Sequence, residues 1–176
     1  ADAVGIPGVL YNVPSRTALN MDAATTLRLA QVPNIVGVKE ASSDADQIAY
    51  VIKDSPDGFR VWSGNDNETF ATMATGGYGI VSVAGNIISG QVQKMMGLLL
   101  EGDVEAAAAE HLRLLPIFNA LFIITNPIPV RYAINRSGFD VGPARLPMIP
   151  ESAELESFST RFDPIMDQYA IDLSEA

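Results

Sequence analysis

Lys39 is the residue of this sequence whose type and position best suit covalent chemistry. It ends the apolar segment 35–39, whose β-branched residues predict a buried strand, and a loop begins at Glu40. In parallel α/β folds, reactive groups gather at the C-terminal ends of strands. Apolar walls disfavour the charged ammonium there, and a neutral amine attacks a ketone to give a Schiff base. The alternative is a lysine that reaches solvent or pairs with Glu40.

Tyr11 and Arg16 lie at and just beyond the end of the preceding apolar segment, residues 8–12. A strand there places Tyr11 beside Lys39 at the same edge of a parallel sheet. Its phenol can then pass protons to and from the carbonyl oxygen. Arg16 in the loop that follows can hold a substrate carboxylate through two parallel hydrogen bonds. Taken singly, the tyrosine also fits a core edge and the arginine a solvated loop.

The first half of the chain alternates between short apolar segments and helical ones. The patterns predict strands at 8–12, 35–39, 59–63 and 79–83, and helices at 20–31, 44–53 and 67–75, with Asn20 capping the first helix. Apolar strands that alternate with helices indicate parallel βα units. None of these strands is followed by the phosphate-binding fingerprint of a dinucleotide fold. A closed (β/α)₈ barrel needs about 250 residues, so four units fit half a barrel or an open doubly wound sheet.

From residue 89 onward the pattern is helical. Helices are predicted at 92–101, 104–121, 126–135 and 153–169, with a break at Gly102-Asp103 and a loop at 143–150. We therefore divide the chain into residues 1–88, which carry the βα units, and residues 89–176, a C-terminal helical region.

The composition excludes several classes of function. Among 176 residues there are 11 Lys and Arg against 21 Asp and Glu, a formal net charge of −10. Nucleic acids and anionic membranes need a basic surface, so neither is expected as a partner. Without cysteine and with a single histidine, disulfides, cysteine nucleophiles and zinc sites are unsupported, and no metal or cofactor is expected.

The apolar segments are all shorter than the roughly 20 residues that a membrane helix requires. The N-terminal residues also lack the basic and apolar regions of a signal peptide. These features predict a cytoplasmic protein.

Several motifs occur in a fixed order along the chain. They are Tyr11-Asn12-Val13-Pro14-Ser15-Arg16-Thr17, Gly37-Val38-Lys39-Glu40-Ala41, Ser63-Gly64-Asn65-Asp66, residues 76–86, residues 126–131 and residues 145–148. Together they resemble the dihydrodipicolinate synthase/N-acetylneuraminate lyase family of class I aldolases, over residues 5 to about 165. The form of the first motif is similar to the dihydrodipicolinate synthase branch, because sialic acid and sugar-acid lyases usually differ where Ser15 and Arg16 stand.

The resemblance implies a Schiff-base lyase that condenses pyruvate with aspartate semialdehyde to 4-hydroxy-tetrahydrodipicolinate, in lysine and diaminopimelate biosynthesis. It implies Lys39 as the Schiff-base lysine, Tyr11 as the proton-relay tyrosine and Arg16 as the ligand of the aldehyde's carboxylate. Gly64 and Val81 match positions that line the pyruvate pocket. Members of the family are (β/α)₈ barrels with extra C-terminal helices, usually homotetramers, and they use no metal.

The resemblance is to the second half of the family's barrel. It implies four parallel βα units, the second half of a (β/α)₈ barrel, followed by C-terminal helices. The first half of the family's barrel carries a Thr-Thr pair, a second tyrosine and the lysine-feedback site, and none of these has a counterpart here. The outer strands of a half-barrel are open edges. We therefore expect the N-terminal half to be a separate chain, or copies to pair across those edges, with weak turnover by this polypeptide alone.

Two other functions stay open at this point. One is a related pyruvate-dependent 2-oxo acid aldolase with a different aldehyde acceptor. The other is a catalytically incomplete half-barrel that only binds a partner. The presence of both Lys39 and Tyr11 favours a catalytic protein over the binding module.

Overall fold

The computed structural model describes residue 3, residues 5–148, residues 152–169 and residue 171. The chain divides into two compact units, Ala1–Ser82 and Val83–Ala176. The sequence-based boundary between residues 88 and 89 stays a prediction about where the barrel part of the chain ends.

The first unit is a four-stranded parallel sheet with helices between its strands. Its elements are β1 (Gly8–Asn12), α1 (Pro14–Thr17), α2 (Ala23–Leu29), β2 (Ile35–Glu40), α3 (Ala45–Asp54), β3 (Arg60–Ser63), α4 (Thr69–Ala74) and β4 (Gly79–Ile80). The strands lie in the order β1-β2-β3-β4, and every neighbouring pair is parallel. The predicted parallel βα units are therefore confirmed.

The strand register determines which side chains share a face of the sheet. Tyr11 pairs with Lys39, and Lys39 pairs in turn with Trp62. At the start of β1 the register is irregular, because Gly8 pairs with Ile35 and the next residue, Val9, pairs with Gly37. One residue of β2 is skipped there, and the two strands run in step from Val9 to the site.

One face of this sheet packs against helices. Val38 and Val61 lie with Ile48 and Val51 of α3 in a buried cluster, and Leu10 packs against it. Fully burying an aliphatic side chain contributes about 1.5–3 kcal/mol, so this cluster is the main stabilising contact between the sheet and α3. Alternation along the strands then sends Tyr11, Lys39 and Trp62 to the opposite face.

Two helices of this unit, α2 and α3, begin at aspartates. Asp22 caps α2 by accepting a hydrogen bond from the backbone N of Thr25 at 2.8 Å, and Asp44 caps α3 through the backbone N of Gln47 at 2.9 Å. The prediction that Asn20 caps the first long helix is wrong. The side chain of Asn20 instead bonds to Gln47, a partner distant in sequence.

The fourth strand is shorter than predicted. The apolar pattern predicts 79–83, whereas β4 has two residues, Gly79–Ile80. Val81 still donates its backbone N–H to the carbonyl of Ser63 at 3.0 Å. The Ser82 hydroxyl then donates to the carboxylate of Asp66, so the chain turns towards the end of β3 instead of continuing the ladder.

The second unit is helical. It contains α5 (Gly85–Leu100), α6 (Val104–Ala120), α7 (Ile128–Arg136) and α8 (Ser152–Met166), followed by a 3₁₀ turn at Asp167–Tyr169. Its core contains the buried side chains Met95, Leu114, Ile117, Phe118, Phe158, Phe162 and Met166. The predicted helical C-terminal region is confirmed for the described residues, although α5 begins seven residues before the predicted helix at 92–101, with an irregular backbone at Ile88.

Polar contacts join α7 to α8 at one side of that core. The Tyr132 hydroxyl donates to the carboxylate of Asp163, 3.0 Å from each oxygen, and Arg136 lies 3.3 Å from the same carboxylate. Burial first, and then this hydrogen bond, raises the pKa of Tyr132. The ring of Tyr132 meets Phe158 and Phe162 edge-on, so its hydroxyl is satisfied at the rim of the apolar core.

Candidate active site

The face of the sheet that faces away from α3 carries an open cavity near the strand ends. Its volume is about 410 Å³, and its lining residues are Val9, Leu10, Tyr11, Lys39, Trp62 and Val81. All of them lie on or next to the four parallel strands of the first unit. Ligands of parallel α/β folds bind at the C-terminal ends of strands, where Tyr11 and Lys39 lie.

Lys39 and Tyr11 are in direct contact in this cavity. Lys39 is half-buried, and its Nζ lies 4.4 Å from the centroid of the Tyr11 ring. Tyr11 itself is 54% exposed. The nucleophilic nitrogen of Lys39 and a proton donor, the phenol of Tyr11, are therefore neighbours on adjacent strands. This arrangement suits addition of the amine to a carbonyl, with the phenol exchanging the proton of the carbonyl oxygen.

Trp62 flanks Lys39 on the other side and, with Val9 and Leu10, is one of three cavity residues that the sequence did not assign to the site. The sequence pattern assigned it only to a strand. Its Cα pairs with that of Lys39, and its side chain lines the cavity. The alternation of side chains along a strand identifies it. Gly37 and Lys39 are two residues apart and therefore share a face of β2. Once β2 and β3 are set in parallel register, only every second residue of β3 lies on that face.

Val81 and Gly64, the two residues predicted to line the pocket, have different positions. Val81 lies just beyond β4 and lines the cavity together with Tyr11 and Lys39. Gly64 is buried and is not among the lining residues, and its backbone N donates to the carbonyl of Glu40 at 2.6 Å. A Cβ on Gly64 would lie 2.6 Å from the Cβ of Ala41, so the close approach of the two chain segments requires glycine.

Arg16 lies apart from this cluster. It is in the short helix α1, its side chain is exposed, and it is not among the residues that line the cavity. The helix α1 begins within two residues of the end of β1, which keeps Arg16 on the same side of the sheet as the strand ends. The structure therefore brings Tyr11, Lys39 and Val81 together and leaves Arg16 exposed, outside the cavity lining.

A buried polar network lies on the opposite side of the same strand ends. The carboxylate of Glu40 is fully buried and accepts from Asn12 Nδ2 at 2.9 and 3.1 Å, from the backbone N of Ser42 at 2.8 Å and from Gln47 Nε2 at 3.2 Å. Asn12 also donates to Asn20 at 2.8 Å. Amide donors therefore satisfy this carboxylate. The network fixes the backbone of the residues that follow Tyr11 and Lys39.

Asp66 holds the fourth strand end in a similar way. It lies 2% exposed in the 3₁₀ turn that follows β3 and accepts a hydrogen bond from the hydroxyl group of Ser82. Because Ser82 is next to Val81, this bond fixes the segment that brings Val81 to the cavity. The sequence motif Ser63-Gly64-Asn65-Asp66 therefore acts here through backbone position.

The described residues contain neither a cluster of metal ligands nor a membrane-spanning helix. Within residues 5–148 and 152–169, no cluster of three or more histidine, aspartate or glutamate side chains is arranged to hold a metal ion. Across the same ranges, no helix has both the length and the apolar character needed to cross a bilayer.

Comparison of the sequence with known proteins gives one consistent family. The sequence profile described as the Dihydrodipicolinate synthetase family matches residues 1–161. A protein of Symbiobacterium thermophilum named 4-hydroxy-tetrahydrodipicolinate synthase is 50% identical over 157 residues, which are 89% of this chain and 53% of that protein. A protein of Moorella thermoacetica with the same name is 49% identical over 154 residues, 88% of this chain and 53% of the relative. The chain thus spans about half the length of these curated relatives.

Solved structures give the same result for the fold. The dihydrodipicolinate synthase of Aquifex aeolicus is similar with a TM-score of 0.91 and 34% identity, over 99% of this chain and 59% of that one. The enzyme of Acinetobacter baumannii, described as chloride-inhibited and complexed with pyruvate, has a TM-score of 0.84 and 31% identity, over 93% and 57% of the two chains. A variant described as the first monomeric dihydrodipicolinate synthase has a TM-score of 0.87 and 37% identity, over 93% and 55%. The predicted fold class, four parallel βα units of a (β/α)₈ barrel followed by helices, is confirmed.

Proposed function

The chain belongs to the dihydrodipicolinate synthetase family, and on that premise we propose that Lys39 is the Schiff-base lysine of a 4-hydroxy-tetrahydrodipicolinate synthase. The protein is a lyase that condenses pyruvate with aspartate semialdehyde in lysine and diaminopimelate biosynthesis. The observation that carries the proposal is the contact of Lys39 Nζ with the Tyr11 ring, at 4.4 Å, in an open cavity at the ends of two parallel strands.

The first step is addition of the Lys39 amine to the ketone carbon of pyruvate. Tyr11 gives a proton to the carbonyl oxygen, which leaves as water when the imine forms. Loss of a proton from the pyruvate methyl group then gives an enamine, with the protonated imine as the electron sink. Lys39 can carry out this step because its Nζ faces the open cavity and the phenol is its immediate neighbour.

In the second step the enamine carbon adds to the aldehyde carbon of aspartate semialdehyde. The aldehyde oxygen takes up a proton, and the imine forms again. The amino group of the former semialdehyde then attacks the imine carbon, closes the ring and displaces the Lys39 amine. Across both steps one water molecule is released and no oxidant or reductant is consumed.

Arg16 and Val81 take binding roles in this proposal, and Gly64 takes a positioning role. The exposed guanidinium of Arg16 beyond β1 suits a ligand for the carboxylate of the incoming aldehyde, through paired charge-assisted hydrogen bonds. Val81 is a wall of the pyruvate pocket, which its place in the cavity lining supports. Gly64 acts through its backbone, because its N–H holds the carbonyl of Glu40, the residue next to Lys39.

The proposal extends to the setting of the protein. Pyruvate as the first substrate is supported by the pyruvate complex of the Acinetobacter baumannii relative. We place the protein in the cytoplasm and expect an assembly of like subunits, a homotetramer. One similar protein is described as a monomeric variant. The alternative, a related aldolase with another aldehyde acceptor, is disfavoured. The relatives from Symbiobacterium thermophilum and Moorella thermoacetica are both named 4-hydroxy-tetrahydrodipicolinate synthase.

The experiment that tests this function is reductive trapping. The native protein is incubated with pyruvate and borohydride, and the labelled peptide is identified by mass spectrometry. We expect one pyruvate-derived adduct, on Lys39 and on neither of the other two lysines of the chain, Lys53 and Lys94. Lys39→Ala should abolish the adduct, whereas the matched control Lys53→Ala should keep it. A folded protein that gives no adduct, or an adduct on Lys53, would refute the assignment.

A further inference from the structure

Trp62 is the one large apolar side chain of β3 that reaches the Lys39 cavity. It is the single tryptophan of the chain, and it pairs with Lys39 in the parallel register of β2 and β3. Tyr11 occupies the corresponding place on β1. Lys39 therefore lies between two residues with aromatic side chains, Tyr11 on β1 and Trp62 on β3. Only Tyr11 has a chemical role in the proposed reaction.

The indole of Trp62 fills the space that Gly37 leaves empty. A Cβ built on Gly37 would lie 2.4 Å from Cζ3 of Trp62 and 2.3 Å from the carbonyl oxygen of Arg60. Both distances are too short for any side chain, so Gly37 and the indole are complementary in shape. Gly37 is two residues before Lys39, and the indole therefore closes the cavity on the side nearer the N-terminal ends of the strands.

Two further side chains hold the indole in this position. Tyr78 meets Trp62 edge-on, with ring centroids 5.5 Å apart and an angle of 79° between the ring planes. The guanidinium of Arg60 lies 3.9 Å from the centroid of the Tyr78 ring. Such edge-to-face and cation–π contacts fix the orientation of aromatic rings. The indole thus forms a supported wall below Lys39.

We infer that Trp62 limits the length of the 2-oxo acid that Lys39 can take, and so selects pyruvate over acids with longer carbon chains. The inference rests on the proposed function, because it concerns the acid bound to Lys39. An acid with additional methylene groups needs volume next to the ketone carbon. The indole occupies that volume on the Gly37 side, and its edge-on contact with Tyr78 leaves it little freedom to move.

The test compares the trapping of pyruvate with that of 2-oxopentanoate on the native protein and on W62F, W62L and W62A. Each acid is offered with borohydride, and the rate of adduct formation on Lys39 is measured by intact mass. One methylene in an apolar pocket changes specificity by about 10-fold or more. We expect W62A to raise the 2-oxopentanoate to pyruvate ratio at least about 10-fold, with W62L intermediate and W62F nearest to the native ratio. The control Tyr50→Ala, an exposed aromatic residue on α3, should leave the ratio unchanged.

The outcomes separate this inference from the proposed function. If native protein gives no adduct with pyruvate, the proposed function fails and the inference fails with it. If the pyruvate adduct forms and the ratio stays unchanged in W62L and W62A, only the inference is overturned. Should W62A not fold, the ratios of W62L and W62F decide by the same criterion.

Fluorescence gives an independent readout that does not depend on trapping. We expect pyruvate to change the emission of Trp62 in native protein and not in Lys39→Ala, with W62F as the blank for any other signal. An emission change that is equal with and without Lys39 would place the acid elsewhere and overturn the inference.

Discussion

The two faces of the parallel sheet differ sharply, although their residues alternate along the same strands. On the helix side, Asn12, Glu40 and Ser63 are each at most 2% exposed and are hydrogen-bonded. On the cavity side, Tyr11 is 54% exposed, and Lys39 and Trp62 are half-buried around an open cavity. Neighbours in sequence therefore differ in burial and in partners.

This difference shows that two residues next to each other in sequence can have separate tasks. One residue positions the backbone, and the other is available for chemistry. Glu40 has its oxygen atoms occupied by protein donors, so it holds the backbone in place and has little capacity left for a substrate. Lys39, one residue earlier, keeps its amine at the cavity. The helix-side residue fixes where the strand ends, and the cavity-side residue is free to react.

The largest expected effect is on the rate of imine formation in Tyr11→Phe. Removing a positioned proton donor slows a reaction by about 10²–10⁴-fold, so the trapping rate with pyruvate should fall by that amount while the adduct still forms on Lys39. Rapid-quench trapping followed by mass spectrometry measures this rate. Tyr50→Phe on α3 is the matched control. An unchanged trapping rate would remove Tyr11 from the proton transfer and weaken the contrast between the two faces.

The next effect is on stability and is expected for Glu40→Gln. The substitution puts an amide donor against Asn12 and Gln47, which already donate to this position, and leaves buried donors unsatisfied. We expect the free energy of unfolding to fall by about 3 kcal/mol, from urea denaturation, with pyruvate still trapped on Lys39 in the folded protein. The exposed carboxylate of Asp57 supplies the control, Asp57→Asn. A loss of trapping at full stability would mean that Glu40 takes part in the chemistry.

Gly64→Ala tests the close contact that joins the ends of β2 and β3. The added Cβ would lie 2.6 Å from the Cβ of Ala41 and 3.0 Å from the carbonyl oxygen of Glu40, so the backbone has to move. Overpacking of this kind costs about 2 kcal/mol. The same urea measurement checks the loss, and the control is Gly97→Ala on α5, where nothing crowds a Cβ and, as at Gly64, φ is not positive, so no loss is expected. Equal losses for the two variants would contradict the crowding argument.

The smallest expected effect on stability concerns Glu110, a carboxylate whose partners are charged. It contrasts with Glu40, whose partners are uncharged amide groups. In the second unit, Arg113 donates to both oxygens of Glu110, at 2.7 and 3.1 Å, and Lys94 lies 3.7 Å away. The hydrogen bond from Arg113, opposed by burial, holds the pKa of Glu110 below its usual 4.5. The stabilisation is therefore complete above the unfolded pKa and is lost as the pH falls through the lowered folded pKa.

This linkage predicts a pH-dependent difference between native protein and Glu110→Gln. At pH 7 the variant should be less stable by about 1 kcal/mol, and the difference should vanish in acid, below the folded pKa of Glu110. Urea denaturation of the two proteins at a series of pH values measures it. A difference that stays constant down to the most acidic pH would show that packing, not charge, stabilises this contact.

Much of the first unit can be predicted from sequence, because local patterns dominate there. The segments 8–12, 35–39 and 59–63 are apolar and end at polar or turn residues, so burial alone identifies them as strands. Their parallel order follows from the helices between them. The likeness of the motifs to one aldolase family then points to Lys39 and Tyr11, whose catalytic roles stay predictions.

The errors came from contacts between residues distant in sequence. Asn20 and Asp22 are both good helix caps, and the choice between them depends on Gln47, whose amide engages Asn20. The end of β4 depends on the bond between Ser82 and Asp66. Local propensity carries no information on such pairs.

Trp62 was missed for a related reason. A tryptophan in an apolar strand is ordinarily a core residue, and its place at the cavity follows only from the register of two strands and the absence of a side chain at Gly37. Arg16 illustrates the opposite case. Its motif is easily identified in the sequence, but Arg16 is not among the residues that line the cavity.

In the pairing of β1 with β2, one residue near the start of β2 is skipped. This irregularity limits where β2 can gain or lose residues during evolution. Because side chains alternate along a strand, one residue gained or lost between Gly37 and Glu40 exchanges the two faces, and a loss brings the carboxylate of Glu40 to the place of the lysine. The irregularity between Gly8 and Val9 corrects the alignment before that segment begins. Insertions and deletions in homologous chains should therefore fall before residue 37 or after residue 41, and the segment between should keep its length.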